Sequence, residues 1–118
     1  MLTISNDAFL ALSDDVRRRV SQNIANLIAQ ANPALAAQMT PAELFARTHA
    51  GTGIASRYNL ASRRDVTLLC LAHALFGSDF LVQQRFAWVV PVLEEAPADP
   101  DTRMYRVHHG LSDMGAIA

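Results

Sequence analysis

The sequence predicts an all-α fold, a single compact domain of about five helices around an apolar central helix. Three observations support this prediction. Apolar residues recur three or four positions apart over most of the chain, which is the spacing of one helical face. Helix-capping patterns begin several of these stretches, and Asn, Gly or Pro follows them. No stretch alternates β-branched and polar residues, and no Asn-Gly or Asp-Gly pair indicates a hairpin.

The first helix is predicted to run from a cap at Asn6 or Asp7 to about Ala31. Its core-facing stripe consists of Phe9, Leu12, Val16, Val20, Ile24, Leu27 and Ile28. The opposite face, which we expect to contact solvent, carries Asp14, Asp15, Arg18, Ser21 and Asn26. Pro33 ends this helix, because proline disfavours helical geometry at the residue before it. Residues 34–39 are expected to form a separate helical turn.

A second helix is predicted from Pro41 to Tyr58, with Thr40 as its N-cap and Glu43 completing a capping box. Asn59 is suited to the left-handed residue just beyond the helix end. Two positions inside this helix are glycine, Gly51 and Gly53. Each weakens the helix by up to about 1 kcal/mol relative to alanine. They predict either a kink or the close approach of another helix.

The central helix is predicted between a second capping box, Ser62 to Asp65, and Gly77. Its sequence from Val66 to Phe76, VTLLCLAHALF, is apolar on nearly every face. A helix without a polar face has to be surrounded by other elements. We therefore expect this helix at the centre of the fold.

Two further helices are predicted in the last third of the chain. The fourth spans Gln83 to Glu95 and is kinked or restarted by Pro91. Its inner side carries Phe86, Trp88, Val89, Val92 and Leu93. The last helix has Asp99 as its cap and Pro100 at its first position, and it ends at His109 before Gly110. The helical domain is thus predicted over residues 1–110, with residues 111–118 as a frayed tail.

The composition argues against several classes of function. A net charge of −1 gives little support for a nucleic-acid binder, whose affinity depends on neutralising phosphates. Cys70 is the single cysteine, which excludes an internal disulfide and every multi-cysteine metal motif. No apolar run reaches the roughly 20 residues that cross a bilayer, and the N-terminus lacks the pattern of a signal peptide. We expect a cytoplasmic protein without a cofactor.

Ionisable and nucleophilic residues do not form a convincing catalytic or metal site. Cys70 and His73 lie three positions apart on the central helix, but two ligands do not complete a tetrahedral metal site. A buried thiol is also a poor nucleophile, so both are interpreted as core residues. Adjacent residues on a helix point about 100° apart. The histidines at 108–109 therefore cannot easily bind one ion through a shared helix face, and the acidic pairs at 14–15 and 94–95 do not converge on a substrate.

Two groups of arginines, at 17–19 and 63–64, could contact phosphate. However, the helix after Ser62 is too apolar to act as a recognition helix, which needs polar side chains facing the bases. We therefore predict no nucleic-acid partner, and a helical DNA-binding regulator is kept only as an alternative function. Gly51 to Gly53 lack the spacing and the lysine of a phosphate-binding loop.

Aromatic residues provide the candidate partner-binding site, which consists of Phe80, Phe86 and Trp88. They lie where Gly77 and Pro91 interrupt regular helix. Aromatic side chains near a surface are favoured interface anchors, and a chain with 51% hydrophobic residues is expected to leave some apolar surface exposed. The hypothesis is a groove for an effector segment or for a second copy of this chain, which would make a homodimer. Core packing is the alternative for each residue.

Three parts of the sequence carry a resemblance to a known family: residues 55–66 (ASRYNLASRRDV), residues 75–80 (LFGSDF), and Trp88 with Leu93. They are similar to A-x-x-Y-G-[IL]-x-S-E-x-D-[VI], then L-G-x-x-F, then a tryptophan and a leucine. That pattern is typical of small helical accessory proteins encoded in bacterial type VI secretion spike and effector gene clusters. Asn59 stands in place of the usual glycine, and an arginine follows Ser62 where the family has an acidic residue.

The resemblance covers about residues 1–108 and marks helix boundaries more than a site. It implies a non-catalytic cytoplasmic adaptor or chaperone-like protein whose partner is an effector, a toxin or a spike component. An immunity protein that binds a cognate toxin is the alternative within the same gene setting. No catalytic residue of the family can be transferred to this chain.

Overall fold

The computed structural model describes residues 14–60, 62–95 and 100–115, and this part of the chain is all-α, as predicted. Its α-helices are α1 (Asp14–Ala31), α2 (Pro33–Ala36), α3 (Pro41–Arg57), α4 (Arg63–Phe76), α5 (Val89–Leu93) and α6 (Pro100–Asp113). Two 3₁₀ helices, Phe80–Val82 and Gln84–Phe86, connect α4 to α5. The described helices surround one hydrophobic core, with α4 in contact with α1, α3 and α6. The predicted caps at Asn6 or Asp7 and at Asp99 lie outside the described residues.

Helix α1 ends at Ala31, as predicted, and the separate helical turn expected over residues 34–39 is observed as α2, Pro33–Ala36. The core-facing stripe is rotated from the predicted one, because it consists of Ser21, Ile24, Ala25 and Ile28. Two predictions are therefore wrong. Ser21 is fully buried, whereas Leu27 is 40% exposed. The first residues of the predicted stripe, Phe9 and Leu12, lie outside the described residues.

Both ends of α3 follow their sequence signals. The Thr40 hydroxyl accepts a hydrogen bond from the Glu43 amide at 3.1 Å. At the other end Asn59 has φ 61°, the left-handed conformation that its sequence position predicted. The Leu60 amide then bonds to the Ala55 carbonyl at 2.8 Å, and these two fully buried residues seal the helix end.

Gly51 lies where α3 closely approaches α4, and α3 continues without interruption to Arg57. A Cβ atom at this position would lie 2.7 Å from the Cα atom of Cys70 on α4. Gly53 faces the other side, where a Cβ atom would lie 3.5 Å from the Arg17 guanidinium. Of the two predicted explanations, close approach of another helix is therefore the one that holds at Gly51.

Helix α4 is capped as predicted. The Ser62 hydroxyl accepts a hydrogen bond from the Asp65 amide at 3.1 Å, and Gly77 ends the helix with φ 110°. Its buried residues are Asp65, Val66, Leu69, Cys70, Ala72, His73 and Ala74. The helix is not enclosed on every side, however. Leu68 and Leu71 are half-buried and Leu75 is 37% exposed, so one apolar face of the central helix reaches the surface.

The prediction of a fourth helix from Gln83 to Glu95 is wrong in its first half, where the structure has a 3₁₀ helix, Gln84–Phe86. Gln83 has an extended backbone, with ψ 135°, and separates the two 3₁₀ helices. Its side-chain amide donates to the Phe76 carbonyl at 2.6 Å, a group left without a partner at the end of α4. Helix α5 starts at Val89, and Pro91 lies in its first turn, where the absent N–H is not needed. The predicted restart is thus confirmed.

Helix α6 starts at Pro100 as predicted but continues past Gly110 to Asp113, so the prediction that it ends at His109 is wrong. Gly110 does not end the helix but lets the Trp88 ring pack against α6, because a Cβ atom at this position would overlap the ring. Leu111 beyond it is buried in the core. The part of the predicted frayed tail that the structure describes is therefore helical up to Asp113.

Candidate functional site

Cys70 and His73 are core residues, as interpreted from the sequence. The Cys70 thiol is fully buried and donates to the Thr48 carbonyl at 3.4 Å, and burial raises the pKa of this thiol far above its usual range. The Nδ1–H group of His73 donates to the Leu69 carbonyl at 2.9 Å, and burial lowers the pKa of the ring. The thiol stays protonated, which makes it a poor nucleophile, and the buried imidazole has no exposed surface through which it could meet a substrate.

The predicted partner-binding residues do not form a surface groove together. Phe80 and Phe86 are fully buried, with ring centroids 4.7 Å apart, and Phe76 packs against both. The predicted surface location is therefore wrong for these two residues, because the 3₁₀ helices turn both rings into the core. Trp88 is half-buried against Gly110, and its indole N–H donates to the Met114 sulfur at 3.1 Å. A partner-binding role for Trp88 stays a prediction.

The acidic pairs are exposed, as expected for surface charge. Glu95 forms an ion pair with Arg106, which joins the end of α5 to α6. Glu94 accepts a hydrogen bond from the Tyr58 hydroxyl at 3.4 Å. The two glutamates thus have different partners, and the exposed acidic pairs are interpreted as surface charge.

A polar network between α1 and α3 was missed by the sequence analysis. Arg17 Nη2 lies 2.6 Å from His49 Nε2, and Ser21 Oγ lies 2.9 Å from His49 Nδ1. The Ser21 hydroxyl also lies 2.9 Å from the Thr52 hydroxyl, which donates to the His49 carbonyl at 3.0 Å. No local pattern in the sequence indicates this network, because Ser21 and His49 lie 28 positions apart on different helices.

The Ser21–His49 pair superficially resembles part of a hydrolytic triad, but the donor and acceptor of its hydrogen bond are exchanged. A guanidinium only donates hydrogen bonds, so His49 Nε2 must accept from Arg17 and the ring proton must sit on Nδ1. The nitrogen that faces Ser21 is then a donor and cannot remove the serine proton, which a triad histidine does. Burial and the charges of Arg17 and Arg18 lower the pKa of His49 and keep the ring neutral. We therefore assign this network to helix packing.

An open groove between α4 and α6 is the best candidate for a functional site. We call it the α4–α6 groove; it has a volume of about 310 Å³ and is lined by Arg64, Leu68, Tyr105, His108, His109 and Ser112. Leu68 forms its apolar part. The ring of Tyr105 is 60% exposed and stacks on the His109 ring, with centroids 5.9 Å apart. The groove thus combines an apolar wall with aromatic and hydrogen-bonding groups that a partner can reach.

A row of leucines continues the groove along the exposed face of α4. Leu68, Leu71 and Leu75 follow the i, i+3, i+7 spacing, so they lie on one face of the helix. We call these residues the leucine stripe. They are the part of the central helix that the other described helices leave half-buried or exposed. The sequence indicates that this helix is apolar, but the expectation that every face would be covered is wrong.

The electrostatic character of the groove is cationic and polar. Its lining contains the Arg64 guanidinium, two imidazoles and a serine hydroxyl, but no carboxylate. The Asp113 carboxylate lies 3.5 Å from His109 Nε2 at the edge of the groove. Residues 14–60, 62–95 and 100–115 contain no group of three or more His, Cys, Asp or Glu side chains that could hold a metal ion. The arrangement suits non-covalent binding.

Comparisons with known proteins add no assignment: no family model matches the chain, and no curated protein or solved structure shows significant similarity to it. Within the described part of the chain, no helix combines the length and the apolar character that a membrane span requires. The site is therefore characterised by its own geometry, a partly apolar groove bordered by cationic and hydrogen-bonding side chains.

Proposed function

We propose that this chain is a non-catalytic adaptor, a chaperone-like accessory protein that binds a type VI secretion effector or spike protein in the cytoplasm before export. The α4–α6 groove and the leucine stripe form the binding surface. The observation that carries the proposal is that Leu75 is 37% exposed, next to the half-buried Leu68 and Leu71, on the helix that otherwise forms the centre of the core. The class of partner comes from the sequence resemblance at residues 55–93.

Exposed apolar residues occur singly on most protein surfaces and then need no explanation. The leucine stripe differs because its members are aligned on one helix and lead into a groove. A partner helix can lay its own apolar residues, spaced i, i+3/i+4 and i+7, against such a surface. Burying a leucine side chain contributes about 1.5–3 kcal/mol relative to leaving it exposed. The stripe can therefore supply useful affinity without any catalytic group.

Affinity capture tests this proposal with a matched pair of variants. Leu75→Glu places a charge on the leucine stripe, and Leu27→Glu places one on α1, outside the groove. The two leucines are 37% and 40% exposed, so both variants are expected to remain folded by circular dichroism. The tagged protein is captured from the cell that makes it, and the retained proteins are identified by mass spectrometry.

The expected result is that wild type and Leu27→Glu retain an effector or spike component, whereas Leu75→Glu loses it. If all three proteins retain this component, the binding surface lies outside the leucine stripe. Capture of a toxin that kills cells lacking this chain would instead identify an immunity protein. If no effector, toxin or spike component is enriched over a tag-only control, the proposed function is wrong.

A further inference from the structure

The α4–α6 groove has a charge pattern that the fold itself does not explain. Arg64 lies in the first turn of α4, where a cation is unfavourable for the helix because that end carries partial positive charge. Its side chain is exposed and belongs to the groove lining. By contrast, Arg47 and Arg106 pair with glutamates, and Arg103 donates to the Leu93 carbonyl at 2.5 Å. Arg64 thus adds positive charge at a position where it does not help the helix.

The other polar groups of the groove share one property, since they can all donate a hydrogen bond. Tyr105 and Ser112 contribute hydroxyl groups and His108 contributes a ring N–H group, whereas His109 Nε2 lies 3.5 Å from the Asp113 carboxylate. Together with the Arg64 guanidinium they form a set of donors without a carboxylate among the lining residues. A ligand that carries carboxylates satisfies this set, because charge-assisted hydrogen bonds form between arginine and carboxylate.

We infer that the α4–α6 groove recognises an acidic segment of the partner protein, with carboxylates facing Arg64 and His108 and apolar side chains on the leucine stripe. This inference rests on the proposed function and specifies the chemistry of the partner. A protein segment fits better than a small anion, because the apolar stripe extends from Leu68 to Leu75. That distance is about two helical turns, or roughly 11 Å, which a free phosphate does not span.

Fluorescence-anisotropy titrations of the full chain test the inference with two labelled amphipathic peptides. Both peptides carry leucines at i, i+3/i+4 and i+7, and their remaining positions are all glutamate in one and all glutamine in the other. The variants are Arg64→Gln and its control Arg19→Gln, an exposed arginine on α1 outside the groove. Inorganic phosphate serves as a small-anion competitor.

We expect the chain to bind the glutamate peptide about tenfold more tightly than the glutamine peptide, and rising salt to reduce this preference. Arg64→Gln should weaken binding of the glutamate peptide about fivefold, as expected for the loss of one exposed ion pair. The affinity for the glutamine peptide should not change. Arg19→Gln should change neither. Equal affinity for both peptides, equal losses in both variants, or full displacement by millimolar phosphate would overturn the inference.

The two proposals fail in different ways. If a secretion partner is captured by wild type and equally by Arg64→Gln, the adaptor function holds and acidic recognition is wrong. If the glutamate peptide shows binding that depends on Arg64 but no secretion component is ever captured, acidic recognition holds and the adaptor function is wrong.

Discussion

Replacing Gly51 with alanine tests a close contact between α3 and α4. The new Cβ atom would lie 2.7 Å from Cys70 Cα and 3.0 Å from Cys70 Sγ. The nearest atom belongs to the backbone of α4, so a side-chain rotation cannot relieve the overlap and the helices must separate. Overpacking of this kind costs about 1–3 kcal/mol, and the better helix propensity of alanine returns about 1 kcal/mol. A net loss of up to about 2 kcal/mol is expected.

Gly53→Ala is the matched control in the same helix. Its Cβ atom would lie 3.5 Å from the end of the flexible Arg17 side chain, an ordinary contact, so the variant should gain up to about 1 kcal/mol. Urea unfolding followed by circular dichroism gives both free energies, provided that the slopes agree. If Gly51→Ala is as stable as Gly53→Ala, the reasoning about the α3–α4 contact is wrong.

Further substitutions test other parts of the core. Gly110→Ala should destabilise the chain and shift the tryptophan emission spectrum, because the added methyl group displaces the Trp88 ring. An unchanged spectrum together with an unchanged urea midpoint would contradict the contact between Gly110 and Trp88. Leu69→Ala should cost about 2–5 kcal/mol in urea unfolding, since Leu69 is fully buried, whereas the exposed control Leu75→Ala should cost clearly less. Acid should lower the stability, because the pKa of His49 is depressed in the folded chain and the unfolded chain takes up the proton first. The contribution of neutral His49 to the free energy of unfolding is complete above its ordinary pKa of 6.5 and is lost as the pH falls through the lowered pKa. If the urea midpoint of His49→Asn falls with decreasing pH as steeply as that of the wild type, this explanation is wrong.

Local signals in the sequence predicted the helix boundaries well where a single residue controls them. Thr40 and Ser62 bond to the backbone amides expected of N-caps, and Asn59 takes the left-handed conformation. These outcomes depend on neighbouring residues in the chain, so they can be inferred without the fold. Gly77 likewise ends α4 through its own positive φ.

Predictions failed where packing between distant residues decided the outcome. Gly110 looks like a helix terminator in the sequence, but the Trp88 ring occupies the space beside it and α6 continues. Ser21 looks like a surface residue, but Thr52 and His49 on α3 provide partners for its hydroxyl. Neither partner can be identified from local periodicity.

The candidate site was only partly accessible to sequence reasoning. The apolar character of α4 was evident, but the choice of its exposed face depends on how α3 and α6 pack against it. Arg64 and His108 are more than 40 positions apart in the sequence, and only the packing of α6 against α4 brings them into one groove. The aromatic residues attracted attention first, although Phe80 and Phe86 serve the core.

Secretion of the captured effector or spike protein tests the central claim most directly. Its amount in the culture medium is measured in cells that lack this chain and in the same cells supplied with wild type, Leu27→Glu or Leu75→Glu. An adaptor that acts through the leucine stripe predicts loss of secretion on deletion, recovery with wild type and Leu27→Glu, and no recovery with Leu75→Glu. Undiminished secretion in the deletion strain, or equal recovery with all three proteins, would contradict it.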